Sequence, residues 1–276
     1  MNHNLQNPIR PDGYLLEISR RYSTELPSYF LEQSADEQYK SRARALGRTA
    51  NTLSQSHTVG EFVTPEASLY SIIGKLDTFF EATQTLATFD KNQHEYGLKA
   101  SYEARTAEKM KIIEFNHTLR DVIDKHPRMS PPELTKFLVQ SYSFLHGSQH
   151  IDEFAFEAKA RVKGMQHELL TEQVIGTIDD PDINYELATP EQELRGADII
   201  AYVGDVELPI DIKASQNLVD AAIQKGRPPH RVMYSGFSSE EAGNRFRIPR
   251  EEAIARSVPM RRYLLQAAHQ EHAMYA

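Results

Sequence analysis

The chain has 276 residues, of which 40% are hydrophobic and 25% charged, with a formal net charge of −8 and no cysteine. The length suffices for one large or two ordinary domains, and the lack of Cys excludes a disulfide framework and a zinc–thiolate site. The net charge argues against attachment to nucleic acid through overall positive charge.

The opening MNHNLQNPIRPDGYLLEIS has no apolar stretch behind a basic start, so no secretory signal is expected. No run approaches the roughly 18 apolar residues of a spanning helix. The expectation is a cytoplasmic protein with no membrane association. Residues 1–30 read as irregular, interrupted by Pro8, Pro11 and Pro27, and residues 31–58 as an exposed helix. From Pro65 the apolar residues Leu69, Ile72, Ile73, Leu76, Phe79 and Phe80 recur at helical spacing, with the proline at the first position. A further helix is predicted over 104–125, with Met110, Ile113, Phe115 and Leu119 inward. Ser130, followed by Pro131, Pro132 and Glu133, has the pattern of a helix start, and Gly147 that of a stop. The domain reading is an all-helical domain over 1–147, of unknown role, and a second domain over 148–276.

In the second half, 151–175 reads as one amphipathic helix and 179–182 as a turn. Strands are predicted at 183–189, 197–203 and 206–215, a helix at 217–225 and a strand at 231–238. The segment PEQELRG reads as a loop, and the last helix, after Pro249, as bent or broken at Pro259. The fold class is α+β, with the order α-β-β-β-α-β and a mixed four-stranded sheet.

Charge is unevenly spread. Residues 1–145 carry a net of −1, 146–212 a net of −11 and 213–262 a net of +5. An acidic segment followed at once by a basic one could set cation ligands beside a phosphate-binding surface, or could simply reflect two solvated faces.

Within that boundary lies ADIIAYVGDVELPIDIKAS. Gly204-Asp205 suits a two-residue type II′ turn, which would pair Val203 with Val206, Ala201 with Leu208 and Asp198 with Asp211. That last pair falls at a non-hydrogen-bonded position, where Cα atoms approach to roughly 4.5 Å. Lys213, two residues from Asp211, shares its face. Pro209 is tolerated because its missing donor points away from the hairpin partner. Directly opposed like charges destabilise a sheet, so two carboxylates held together here call for a compensating cation. Lys213 offsets part of the repulsion, and a hard divalent ion would do so better.

Asp198 on one strand, Asp211-Ile212-Lys213 on the next and Glu168 on the preceding helix resemble the PD-(D/E)xK nuclease superfamily. The resemblance spans about residues 150–250. Two departures stand: Ala197 occupies the place of the usual proline, and the literal Pro181-Asp182 lies too early to share the hairpin face. Glu172, one turn beyond Glu168, is an alternative helical acid. The resemblance implies a restriction-endonuclease-like domain that hydrolyses phosphodiester bonds in nucleic acid, DNA before RNA. Glu168, Asp198 and Asp211 would ligate Mg²⁺ or Mn²⁺, Lys213 would orient water or stabilise charge, and Gln216 would be an accessory polar contact. Arg227, Arg231, Arg245 and Arg247 would hold flanking phosphates. The competing reading is a catalytically inactive member of the same fold, a binding or scaffold protein whose helical half meets a protein partner or a second copy.

Other motifs give less. His146 and His150, with Glu153 and Glu157 beyond, have ligand spacing if helical, but Gly147 breaks that helix and a solvated face is the simpler reading. The segment Tyr234–Ser238 lacks a nucleophile elbow, and there is no phosphate-binding Gly-rich loop.

Overall fold

The computed structural model describes Ser68 and residues 71–275; the irregular stretch and the first helix expected before Pro65, together with Pro65 and Leu69, lie outside the described residues. Eight α-helices and four strands are described. The described residues divide between two compact units, one holding those up to 88 and 117–160, the other 89–116 and 161 onward.

Helix α1 spans Leu76–Tyr96, α2 Tyr102–Lys125, α3 Pro131–His146 and α4 Ile151–Ile175. The helix expected from Pro65 is interrupted by a turn at Gly74-Lys75, so Ile72 and Ile73 belong to a separate short turn of helix. Helix α3 begins where its sequence requires. Ser130 Oγ accepts from the Glu133 N–H at 3.4 Å, and Glu133 Oε2 accepts from the Ser130 N–H at 2.8 Å. This reciprocal bonding satisfies two donors that a helix start leaves unpaired. Gly147, at φ 67°, closes the other end by donating its N–H to Ser143 O. The first unit's core is aromatic: the Phe154 ring stacks on Tyr142 at 4.0 Å and meets Phe79 and Phe80 edge-on at 6.3 and 5.7 Å.

In the second unit, β1 (Ile183–Leu187), β2 (Ile199–Val203), β3 (Val206–Lys213) and β4 (Val232–Tyr234) form one mixed sheet in the order β1-β2-β3-β4. The first two pairings are antiparallel and β3–β4 is parallel, with α6 (Gln216–Gln224) as the crossover. Between β2 and β3 the observed partners are Val203↔Val206, Ala201↔Leu208 and Ile199↔Ile210, the predicted register. Gly204 sits at φ 58° while Asp205 is not among the positive-φ residues, which is the type II′ arrangement and not type I′. Pro209 lies before the β3–β4 ladder, which starts at Asp211↔Val232, so its absent donor costs no ladder bond.

One face of the sheet carries Ile183, Ile199, Ala201, Leu208, Ile210, Ile212 and Met233 into a core shared with Leu170, Val174 and Ile175 of α4 and Met260, Leu264 and Ala267 of the last helix. That helix, α8 (Arg250–Tyr275), runs unbroken through Pro259. An internal proline costs about 3 kcal/mol, which burial of Met260, Leu264, Ala267 and Ala268 just after it offsets. The segment PEQELRG is a short helix, α5 (Pro190–Leu194), started by a Thr189/Gln192 capping box, and not the expected loop. A second short helix, α7 (Ser239–Ala242), follows β4. Strand β4 is shorter than expected, because the chain turns away at Gly236, φ 78°. The open edge of β4 is covered from α8, where the Tyr263 hydroxyl lies 3.1 and 3.2 Å from the His230 and Val232 carbonyls, which share its one O–H. No helix among the described residues is long and apolar enough to cross a membrane.

Candidate metal and phosphate site

Asp211 and Lys213 occupy alternate positions at the end of β3, on the face opposite Ile210 and Ile212. Asp211 is 7% exposed, and Lys213 Nζ donates to its Oδ1. Asp198 precedes β2 instead of lying within it. Its N–H donates to Ile210 O at 2.8 Å, although Ile210 is already the partner of Ile199. Two residues of one strand thus face one of the other, a bulge-like overhang that replaces the expected direct Asp198–Asp211 pair. The overhang turns the Asp198 carboxylate onto the end of β3, where Oδ2 accepts from the Ile212 N–H at 2.6 Å. That N–H points toward β2 beyond the strand's first residue and would otherwise lack a ladder partner.

Asp198 is where the acidic groups act on one another. Burial, then the charges of Glu168 and Asp211, push its carboxyl well above the ordinary carboxylate range, against the opposing pull of Lys213 and the Ile212 N–H. The helical acid, the overhang acid and the strand acid therefore share one electrostatic neighbourhood with one ammonium. They do not form a ready-made cage: among the described residues, no three His, Asp or Glu side chains are gathered closely enough to hold a metal ion as they stand. Asp211 instead bonds Lys213, and Asp198 bonds a backbone N–H. Carboxylates are the donor type that a hard cation such as Mg²⁺ or Mn²⁺ takes, and Glu168, Asp198 and Asp211 are the residues that could supply them.

Glu168 is held in place by its helix. On α4, the Gln166 amide donates to the carbonyls of Ala242, Gly243 and Arg245 at 3.2, 3.0 and 2.9 Å. Gln173 donates to Phe246 O at 2.9 Å and accepts from the Ile248 N–H at 3.0 Å. These two side chains fasten the 242–248 loop along the helix. Between them, His167 Nδ1 meets Ser235 Oγ at 2.7 Å, both residues being 1% exposed. Burial, then Lys163, lowers the His167 pKa to about 4, so the ring is neutral near pH 7. Ser235 in turn donates its N–H to Lys213 O at 3.0 Å. This link from α4 through Ser235 to the end of β3 has no sequence signature, because its members are 68 residues apart.

The remaining expected residues are placed as follows. Glu172 is 7% exposed on α4. Arg227 lies against Gly196 and donates to Arg195 O, three residues before Asp198. A Cβ at Gly196, where φ is 84°, would collide with that guanidinium. Arg231 is bound to Glu271, and Arg245 to Glu252 at 2.9 Å. Arg247 is exposed, and Gln216 donates to Asp220 at 3.0 Å. Pro181-Asp182 stands at the other end of β2, where Asp182 O accepts from the Gly204 N–H at 2.8 Å, far along the strand from Asp198. His146 meets Asp77 at 2.5 Å and His150 meets Glu153 at 2.7 Å, each in a separate pair.

Comparison of the chain with protein-family models, with curated proteins and with solved structures found no match.

Proposed function

We propose that this chain is a metal-dependent nuclease of the PD-(D/E)xK type, hydrolysing phosphodiester bonds in nucleic acid, with α4, the four strands and α6 as a restriction-endonuclease-like core. One arrangement carries the reading: Asp198, raised by burial and then by the charges of Glu168 and Asp211, bonds the Ile212 N–H at the end of β3, where the bonded pair Asp211 and Lys213 also stands. Three carboxylates with an adjacent ammonium lower stability unless they serve a purpose, and such violations of local rules concentrate at functional sites. Glu168, Asp198 and Asp211 would hold the cation, which would supply a bound water of lowered pKa and offset charge on the phosphorane.

The chain's own residues do the rest. Lys213 uses one N–H on Asp211 and has two more for a phosphate oxygen or a water. The Asp198 overhang, fixed by Ile210 O and the Ile212 N–H, keeps the two strand acids from diverging. Glu168 is carried on α4, which the Gln166 and Gln173 clamps tie to the 242–248 loop. Arg227, which donates to Arg195 O close to the Asp198 loop, would meet a neighbouring phosphate.

The non-catalytic reading draws on one observation too: Asp211 and Asp198 already have protein donors, as in a fold that binds without cutting. The separating experiment is cleavage of single-stranded DNA, double-stranded DNA and RNA with Mg²⁺ or Mn²⁺, comparing wild type with Asp211→Ala and Lys213→Ala. Cutting that both variants abolish supports the nuclease. Identical behaviour of all three proteins on every substrate removes it.

A further inference from the structure

Helix α8 turns one side to the sheet, through Met260, Leu264 and Ala267, and leaves the other side bare. On that outer side Ile254, Val258 and Leu265 are 47%, 63% and 38% exposed. Spaced i, i+4 and i+11, they fall on one stripe of the helix. We propose that this stripe is the contact of a homodimer, in which α8 packs antiparallel on α8 of a second copy across a two-fold axis. The proposal goes beyond the nuclease reading and is independent of it, since no residue of the candidate cation site takes part.

Charge selects both the occupant and its direction. Along one side of the stripe stand Glu251 and Arg262, eleven residues apart and so about three turns from each other. Both are exposed, and among the described residues neither side chain has an ion-pair or hydrogen-bond partner. Their neighbours on the helix are already spent within the chain: Glu252 on Arg245 and Arg256, Arg256 also on Glu241, and Arg261 on Asp180. An acid near the start of a face and a base three turns on make that face its own complement when it is reversed. In an antiparallel pair, Glu251 of each copy lies opposite Arg262 of the other, so the ion pair forms twice. A parallel pair would set like charges against each other, which suppresses that arrangement. The antiparallel order also opposes the two helix dipoles.

The apolar residues call for the same axis. The midpoint between Glu251 and Arg262 falls between Arg256 and Ser257, and the midpoint between Ile254 and Val258 falls at Arg256. One two-fold therefore sets Ile254 against the partner's Val258 while it closes both ion pairs, with Leu265 at the margin of the seam. The contact from Glu251 to Arg262 covers about 18 Å of helix. That is small for a specific interface, so the dimer is weak and concentration-dependent, with a dissociation constant on the order of 10 µM.

The experiment is sedimentation velocity of the full chain from about 1 to about 300 µM, a range that brackets such a constant. The expected result is a shift from monomer to dimer across the range. Glu251→Arg and Arg262→Glu each bring like charges together twice, and each should weaken the dimer by about tenfold or more. Combining the two substitutions restores both pairs in reverse and should return the dimer to within about threefold of wild type. That recovery excludes misfolding as the cause of the single-variant losses. Val258→Asp, which puts a carboxylate into the apolar seam, should leave a monomer over the whole range. A wild-type monomer at every concentration overturns the dimer. A dimer that the two charge reversals leave unchanged, or that their combination does not restore, overturns this face as its contact. Cleavage by a monomer, or a dimer that does not cut, bears on the nuclease reading alone.

Discussion

Among the described residues, each unit contains one aspartate whose carboxyl is pushed up by burial, and the two differ in company. In the helical unit, burial and then Glu81 raise Asp77 to about 6, but its Oδ1 meets His146 Nε2 at 2.5 Å. Burial, then the neighbouring His150, takes His146 down to about 4. One proton between the two groups satisfies both. In the α/β unit, the neighbours that raise Asp198 are two more carboxylates, and the single ammonium nearby is already bonded to one of them. Asp77 has a side-chain partner in His146. Asp198 has been left with a cost that the fold alone does not remove. On the proposed reading, that difference is what separates a structural polar pair from a site.

The largest effect that would sharpen the contrast is on activity. Asp211→Ala or Lys213→Ala should lower metal-dependent cleavage by about 10³-fold or more, equivalent to about 4 kcal/mol of transition-state stabilisation. Comparable in energy but different in kind, Phe154→Ala should destabilise the helical unit by about 3–5 kcal/mol, because it removes a ring stacked on Tyr142 and buried against Phe79 and Phe80. Denaturant unfolding followed by circular dichroism checks it.

The strand register that brings the acids to one end was legible in the sequence. Gly204-Asp205 supplied the turn, alternation supplied the faces, and Pro209 fell where no ladder bond is lost. What sequence could not show is where the ladder stops. The Asp198 overhang depends on one backbone bond to Ile210 O, and no residue type announces a bulge of that kind. Local signals were also outweighed by packing: Pro259 marks a break by propensity, yet the apolar residues after it keep α8 on the sheet. The Thr189/Gln192 capping box was readable and masked by the polarity of PEQELRG. The His167–Ser235 contact and the Gln166 and Gln173 clamps join residues 68 to 79 apart, a distance over which a single sequence carries no pattern.

Smaller effects test the aspartate comparison itself. Between about pH 4 and 6 the folded Asp77–His146 pair holds one proton, and so does the unfolded pair, with ordinary values of 3.8 and 6.5. The pair therefore adds almost no pH slope to stability in that window. Asp77→Ala breaks the balance, because His146 stays neutral when folded down to about 4 but protonates below 6.5 when unfolded. The unfolded state then binds the extra proton, so stability should fall as pH drops, by on the order of 1 kcal/mol between pH 7.5 and 4.5. Urea unfolding of this variant and of wild type at the two pH values gives the slope.

The smallest effect has the opposite sign. Asp198→Asn keeps an oxygen for the Ile212 N–H and removes an ionisable group whose charged form burial, then Glu168 and Asp211, oppose. It should stabilise the α/β unit at pH 7 by about 1 kcal/mol, within the range seen when a functional strain is relieved, while abolishing cleavage. Lower stability in this variant would mean that Asp198 is a structural residue like Asp77.

The most direct test counts ions: Mn²⁺ binding to the full-length chain, followed by loss of the free-ion electron paramagnetic resonance signal. Mn²⁺ bound by wild type, with markedly weaker binding in both Asp198→Ala and Asp211→Ala, is the predicted result. Binding that is absent in wild type, or equal in all three proteins, would contradict the assignment of these carboxylates to a cation.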